Sequence, residues 1–237
     1  MTEATTTVPK ELITDELELL RRLVPLAGAR VVELGCGKAE LARRLLERGL
    51  VASVQAFEVD VVQHARNLAD PHLVNLQFLS GGAEAIPLDA GCCEVVLMLK
   101  SLHHVPIPLL DQALREIRRV LVSGGHLYVS EPVYAGEFNE IVRLFHDEGE
   151  VRAAAQAALR RAAGDGVLAW LGATVFDMPL AFRDFADFHD RIVRVTHSSH
   201  DLDAATLAEV RRRFDRHMTP QGARFIREMR VDVLRRP

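Results

Sequence analysis

A short apolar run, Val31-Val32-Glu33-Leu34, ends in Gly35-Cys36-Gly37 and passes at once into a helical pattern with Leu41, Leu45 and Leu46 on one face. Strand, glycine turn, helix: this order points to a sheet whose strand ends carry ligand-binding loops. Glycine at such a turn takes positive φ and lets the backbone approach a ligand closely.

The same alternation continues along the chain. Ser53–Val59 predicts a strand and Val61–Ala69 a helix; Leu73–Leu79 predicts the next strand. Val95–Leu99 is an unbroken apolar run, as expected of a central parallel strand buried on both faces. Residues 108–121 predict a helix, and His126–Ser130 a fifth strand. An earlier helix is expected over 11–24, stopped by Pro25 and Gly28. The reading is an α/β fold with a doubly wound, mostly parallel, Rossmann-like sheet.

After Pro132 the pattern changes. Residues 136–163 and 184–195 look helical, and Asp203 is placed to cap a helix carrying Leu207, Val210 and Phe214. Val175–Phe182 fits an edge strand, because Pro179 cannot donate to a central ladder. Met229–Leu234 alternates with period two and predicts a closing strand. The expected organisation is a flexible tail over 1–9, a core over 10–132, a mainly helical substrate cap over 133–220, inserted after the fifth strand, and a closing antiparallel strand within 221–237.

Composition excludes several classes. A formal net charge of −4 gives no basic footprint for a nucleic-acid binder. No apolar run is long enough for membrane insertion, and Met1–Thr7 lacks the pattern of a secretory signal. Cys36, Cys92 and Cys93 are too few and too badly spaced for a disulfide framework or a zinc site, so no metal is expected and a cytoplasmic location is. His189, His197 and His200, with Asp190, Asp201 and Asp203, match no standard metal spacing and read as surface residues.

A dinucleotide would set its pyrophosphate on the helix start after G-x-G-x-x-G/A. Here Glu40 occupies the last position and Glu33 precedes the turn, and two carboxylates repel a pyrophosphate. No G-x-x-x-x-G-K-[ST] run is present. A cationic ligand without phosphate suits Glu33 better, and S-adenosylmethionine, with its sulfonium and ammonium, is one. Val31–Gly37 indeed resembles motif I of the class I S-adenosylmethionine-dependent methyltransferases. The likeness continues in order through Phe57–Asp60, Gly82–Pro87, Glu94–Leu99 with Ser101–Val105, Arg119–Gly125 and Glu131-Pro132. In this core the subtype looks like the methyltransferases of ubiquinone and menaquinone biosynthesis. It departs at Ala39, where a third glycine is usual, and at Gly82, where an aspartate is usual.

The resemblance implies a cofactor site made by Glu33, Gly35, Cys36, Gly37, Glu58, Val59, Ala83, Glu84, Leu99 and His104. Glu58 would hold the ribose hydroxyls, Ala83 and Glu84 would flank the adenine, and the Leu99 carbonyl would meet the ammonium. His103 and His104 follow the fourth strand and are the candidates for a catalytic proton role; a packing role beside the cofactor is the competing reading. The function implied is methyl transfer to a small-molecule acceptor by in-line displacement. An S-adenosylmethionine-binding regulatory or partner subunit without methyl transfer is the alternative. The acceptor and the methylated atom are open, and a homodimer is compatible with the sequence.

Overall fold

The computed structural model describes residues 10–70, 73–194 and 202–237. The expected tail at 1–9, and His197, His200 and Asp201, lie outside the described residues. In chain order the elements are β1 (Glu11–Leu12), α1 (Glu16–Leu23), β2 (Arg30–Leu34), α2 (Glu40–Glu47), β3 (Ser53–Glu58), α3 (Val61–Ala69), β4 (Leu76–Ser80) and β5 (Cys93–Leu99). There follow α4 (Leu110–Val120), β6 (Leu121–Pro132), α5 (Gly136–Val142), α6 (Gly149–Gly164), β7 (Ala169–Phe182), α7 (Phe185–Phe188), α8 (Ala204–Asp215), β8 (Met218–Thr219) and β9 (Gly222–Arg235). Short 3-10 turns occupy Leu102–His104 and Ile107–Leu109, and a π-helical turn follows α7 at His189–Val193. No helix among the described residues is long and apolar enough to cross a membrane.

One sheet carries the molecule, in the order β1-β7-β9-β6-β5-β2-β3-β4, with β8 paired to β9. Strands β4, β3, β2, β5 and β6 run parallel, and β9 runs antiparallel between β6 and β7. The expected mixed α/β sheet is therefore the observed one. Strand order reverses beside β2, where the neighbouring chain ends diverge and leave a crevice. Val31, Val95 and Val54 pack on one face with Leu17, Leu20, Ala42 and Leu45 of the helices. Val32, Val96 and Leu127 pack on the other with Leu114, Ile117, Ala158 and Leu159.

Several boundaries differ from the sequence reading. Residues 11–12 form a parallel bridge to Phe176 and Asp177, so the helix expected over 11–24 starts only at Glu16, where the Asp15 side chain accepts from the Leu17 N–H. The strand expected from Leu73 starts at Leu76, after Asn75 takes φ +68°. The fifth strand begins at Leu121, five residues early, because a register shift opposite Cys93 and Val95 absorbs the Gly124-Gly125 turn.

The segment 133–220 is shared between layers. Its α6 buries Ala155, Ala158, Leu159 and Ala162 in the same apolar layer as α4. Its β7 is a 14-residue sheet strand, open on one side beyond the β1 bridge, which is where Pro179 lies. The outer ends of β7 and β9 carry a third core, in which Phe138, Phe182, Phe188, Phe214 and Phe225 pack with α5, α7 and α8. Phe182 and Phe188 meet edge to face with ring centres 5.4 Å apart, the arrangement the aromatic quadrupole favours. Trp170 stays 55% exposed and takes no part.

Truncating the fully buried Phe214 removes the ring shared by four of these contacts. Phe214→Ala is expected to lower stability by about 3–5 kcal/mol in urea unfolding.

Candidate active site

The glycine turn follows β2 directly. Gly35 has φ +73° and Gly37 φ +52°. The N–H groups of Gly35 and Cys36 both donate to the Phe57 carbonyl, at 3.0 and 2.8 Å. Across the crevice Ser101 donates its hydroxyl to the Leu34 carbonyl at 2.7 Å, which pins the end of β5 to the end of β2. A Cβ on Gly35 would lie 2.6 Å from the Ser101 Cβ, whereas one on Gly37 would meet nothing within 4 Å. Gly35 is thus required by the neighbouring strand, and Gly37 leaves open space for a ligand. Ala39, at the position of the missing third glycine, is itself left-handed with φ +55° and fully buried.

Glu58 ends β3 beside this turn. Its Oε2 accepts from the Gly37 N–H at 2.7 Å, and its Oε1 from the N–H groups of Val59 and Asp60 at 2.8 and 2.9 Å. Three backbone donors fix the carboxylate in orientation. Asp60 caps α3 through Val62 and Gln63, and Val59 lies exposed at the mouth. Glu33 is buried inside the turn, and its Oε2 has no hydrogen-bond partner. Burial pushes its carboxyl up to about 8, against the opposing pull of Lys100. Cys36 is buried, and burial with the nearby Glu33 raises its thiol far above the usual range. It is an inert packing residue in this geometry.

Ala83 is buried in the apolar layer beneath the loop after β4. Any Cβ at Gly82 would collide with the Glu84 carboxylate. The acid of residue 84 thus fills the space that a side chain at 82 would enter. Leu99 ends β5, half-buried.

His103 and His104 lie in the 3-10 turn after β5, with ring centres 4.1 Å apart. Their settings differ. His104 is exposed, whereas His103 is buried between two carboxylates. The His103 Nδ1 pairs with Glu131, which also accepts from the N–H groups of Leu102 at 2.9 Å and His103 at 3.4 Å. Its Nε2 faces Glu148 Oε1 at 3.3 Å. Burial would lower the imidazole pKa, but the hydrogen bonds to Glu131 and Glu148 outweigh it and raise it to about 9. Burial would raise Glu148, yet His103, Arg152 and His146 hold it well below the usual carboxylate range. Arg152 pairs with Glu148 and donates to Asn139 Oδ1 at 3.1 Å.

His103, His104 and Glu148 place ligand-type atoms within 4.8 Å of one another. A divalent cation there would displace the Arg152 and His146 contacts that Glu148 already makes.

The structure thus brings Glu33, Gly35, Cys36, Gly37, Glu58 and Val59 together at one strand end. Ala83 and Glu84 lie on the loop after β4, and Leu99, His103 and His104 after β5. Sequence reasoning missed Glu148 and Arg152. Four positions apart on a helix start, they have the spacing of an ordinary surface pair; only the packing of α6 buries them.

Two outcomes test this geometry. Gly35→Ala is expected to destabilise the protein more than Gly37→Ala in chemical unfolding: both strain the backbone by about 1 kcal/mol, but only the first meets Ser101. The second concerns His103, whose pKa rises from 6.5 to about 9 on folding. Its stabilising contribution is full below pH 6.5 and disappears as pH climbs through about 9. The stability advantage of the wild type over His103→Gln is expected to shrink across that window by at most about 3 kcal/mol.

Comparison with known proteins places the domain and the fold among methyltransferases. Residues 32–129 match the family described as a methyltransferase domain. An uncharacterised methyltransferase of Mycobacterium tuberculosis is 36% identical over 110 residues, covering 46% of this chain and 42% of that protein. The ubiquinone biosynthesis O-methyltransferase of Coxiella burnetii is 23% identical over 114 residues, 48% of each chain. The chain thus spans under half the length of these relatives. The crystal structure of the YcgJ protein of Bacillus subtilis, 16% identical, superimposes with a TM-score of 0.62 over 93% of this chain and 97% of that one. Sheet order, glycine turn and domain match converge: over residues 32–129, less than half of its length, this chain is similar to methyltransferase domains.

Proposed function

We propose that the protein transfers a methyl group from S-adenosylmethionine to a small-molecule acceptor by in-line displacement. The observation that carries this reading is the pair of acids at the glycine turn. Glu58 is a carboxylate fixed by three backbone N–H groups, and Glu33 carries a buried oxygen, Oε2, without a partner. Such a pair suits a ligand with a diol and an ammonium. S-adenosylmethionine supplies an electrophilic methyl carbon on a sulfonium.

The chain supplies the rest. Glu58 receives the ribose hydroxyls, with Val59 beside it. Glu33 offers its orphaned oxygen toward the ammonium, to which Leu99 turns its carbonyl. Gly35, Cys36 and Gly37 give the backbone close approach, and Ala83 and Glu84 border the adenine. In this family reading the remaining task is position: holding acceptor and methyl carbon aligned in a site that excludes water. His103, protonated at neutral pH between Glu131 and Glu148, has no lone pair to accept a proton and acts as a positioning residue. His104, exposed at the mouth, is the histidine placed to meet the acceptor. The third core, with α5, α7 and α8, forms the cap on the acceptor side.

S-adenosylhomocysteine is expected to raise the melting temperature while NADH leaves it unchanged. Glu58→Ala is expected to weaken S-adenosylhomocysteine binding in calorimetry by about 1–3 kcal/mol. Unchanged affinity in that variant removes Glu58 from the site.

A further inference from the structure

Arg227 is a half-buried cation with no ionic or hydrogen-bonding partner among the described residues, and its Nε is fully buried. It lies on β9 opposite Met178, and its neighbour Glu228 accepts from the Val133 N–H, so it sits just past the carboxyl end of β6, on the side of the sheet where the site opens. Its guanidinium lies over the Phe138 ring at 5.1 Å, and its Nε is buried without an acceptor. Two further donors are in the same condition: Arg152 Nε and Asn139 Nδ2. Arg152 and Asn139 bond to each other, and Asn139 follows Phe138 on α5. The charges acting on Arg227 are those of Arg152, Glu148, Glu16 and Arg191.

A buried donor left unmade is costly, and an unpaired buried charge more so. Every orphan in this group is a donor, so what is missing is an acceptor. Charge narrows it further. Glu131 and Glu148 are negative; His103 and Arg152 are positive and paired with them. Glu16 is occupied by Lys100 at 3.9 Å and by the Tyr128 hydroxyl at 3.2 Å. Arg191 is paired with Asp187 at 3.1 Å, so one positive charge remains, on Arg227. A monoanion neutralises it, whereas a phosphate dianion leaves a buried negative surplus.

We infer that Arg227, with Arg152 and Asn139, binds a carboxylate of the methyl acceptor, so that the substrate is a small carboxylic acid. The inference rests on the methyltransferase reading for the word acceptor, but the carboxylate site stands on its own orphaned donors. Arg227 forms the planar fork that matches a carboxylate; Asn139 Nδ2 and Arg152 Nε supply the flanking donors. The acceptor's reacting atom then lies on the far side from the carboxylate, toward His104.

The test measures melting temperature with acetate, benzoate and hexanoate, each against its primary amide, and with inorganic phosphate, in the presence and absence of S-adenosylhomocysteine. At least one carboxylate is expected to stabilise the wild type while its amide does not, and Arg227→Met is expected to weaken that carboxylate at least tenfold with S-adenosylhomocysteine affinity unchanged. Equal shifts by acid and amide, no response to any carboxylate, a stronger response to phosphate, or an undiminished response in Arg227→Met each overturn the inference. If Arg227→Met does not fold, the wild-type comparison of acid with amide decides alone. Loss of S-adenosylhomocysteine binding in the wild type would defeat the methyltransferase reading and leave the carboxylate arms to be scored separately.

Discussion

The close approach of Gly35 to Ser101 sets the geometry on which the site depends. β2 and β5 are adjacent parallel strands, and the chain must leave both at the same end. The Ser101 hydroxyl closes that end on the Leu34 carbonyl, and the only residue that fits beneath it is one without a side chain. The turn is therefore held from outside as well as by its own φ angles. Its remaining N–H groups are aimed at β3, toward Phe57 and Glu58. A crevice that exists because strand order reverses becomes a shaped site because these few contacts leave the backbone no alternative.

Behind the crevice the protein is polar where a core is usually apolar. Glu131, His103, Glu148, Arg152 and Asn139 form a chain of paired groups joining the end of β6, the turn after β5, and the starts of α5 and α6. Removing one member of such a chain strands its partners in low dielectric, so the members stand or fall together. The network is balanced as it stands, which makes the unmatched guanidinium of Arg227 conspicuous.

Much of the fold could be read along the chain. Val95–Leu99 is apolar at every position, and a five-residue run of that kind belongs to a central parallel strand. Asp203 announces the helix it caps. Pro179 marks a strand with one open side. What misled was context: residues 11–12 have a helix-compatible pattern, but pair with β7, more than 160 positions away. The length of β7 was equally hidden, because Ala169–Thr174 carries exposed Trp170 and Leu171 and shows no clean alternation.

The sequence by itself determined the alternation of strands and helices, the glycine turn after the first long strand and the acid that ends the second. These are local matters of periodicity, backbone freedom and capping. The tertiary structure decided which charges are buried. Glu148, Arg152 and Arg227 are ordinary polar residues in a linear reading. They become a counter-ion network and an unpaired cation only because α5, α6 and β9 fold back over the same strand ends, and the cost of a buried charge depends on what that folding places around it.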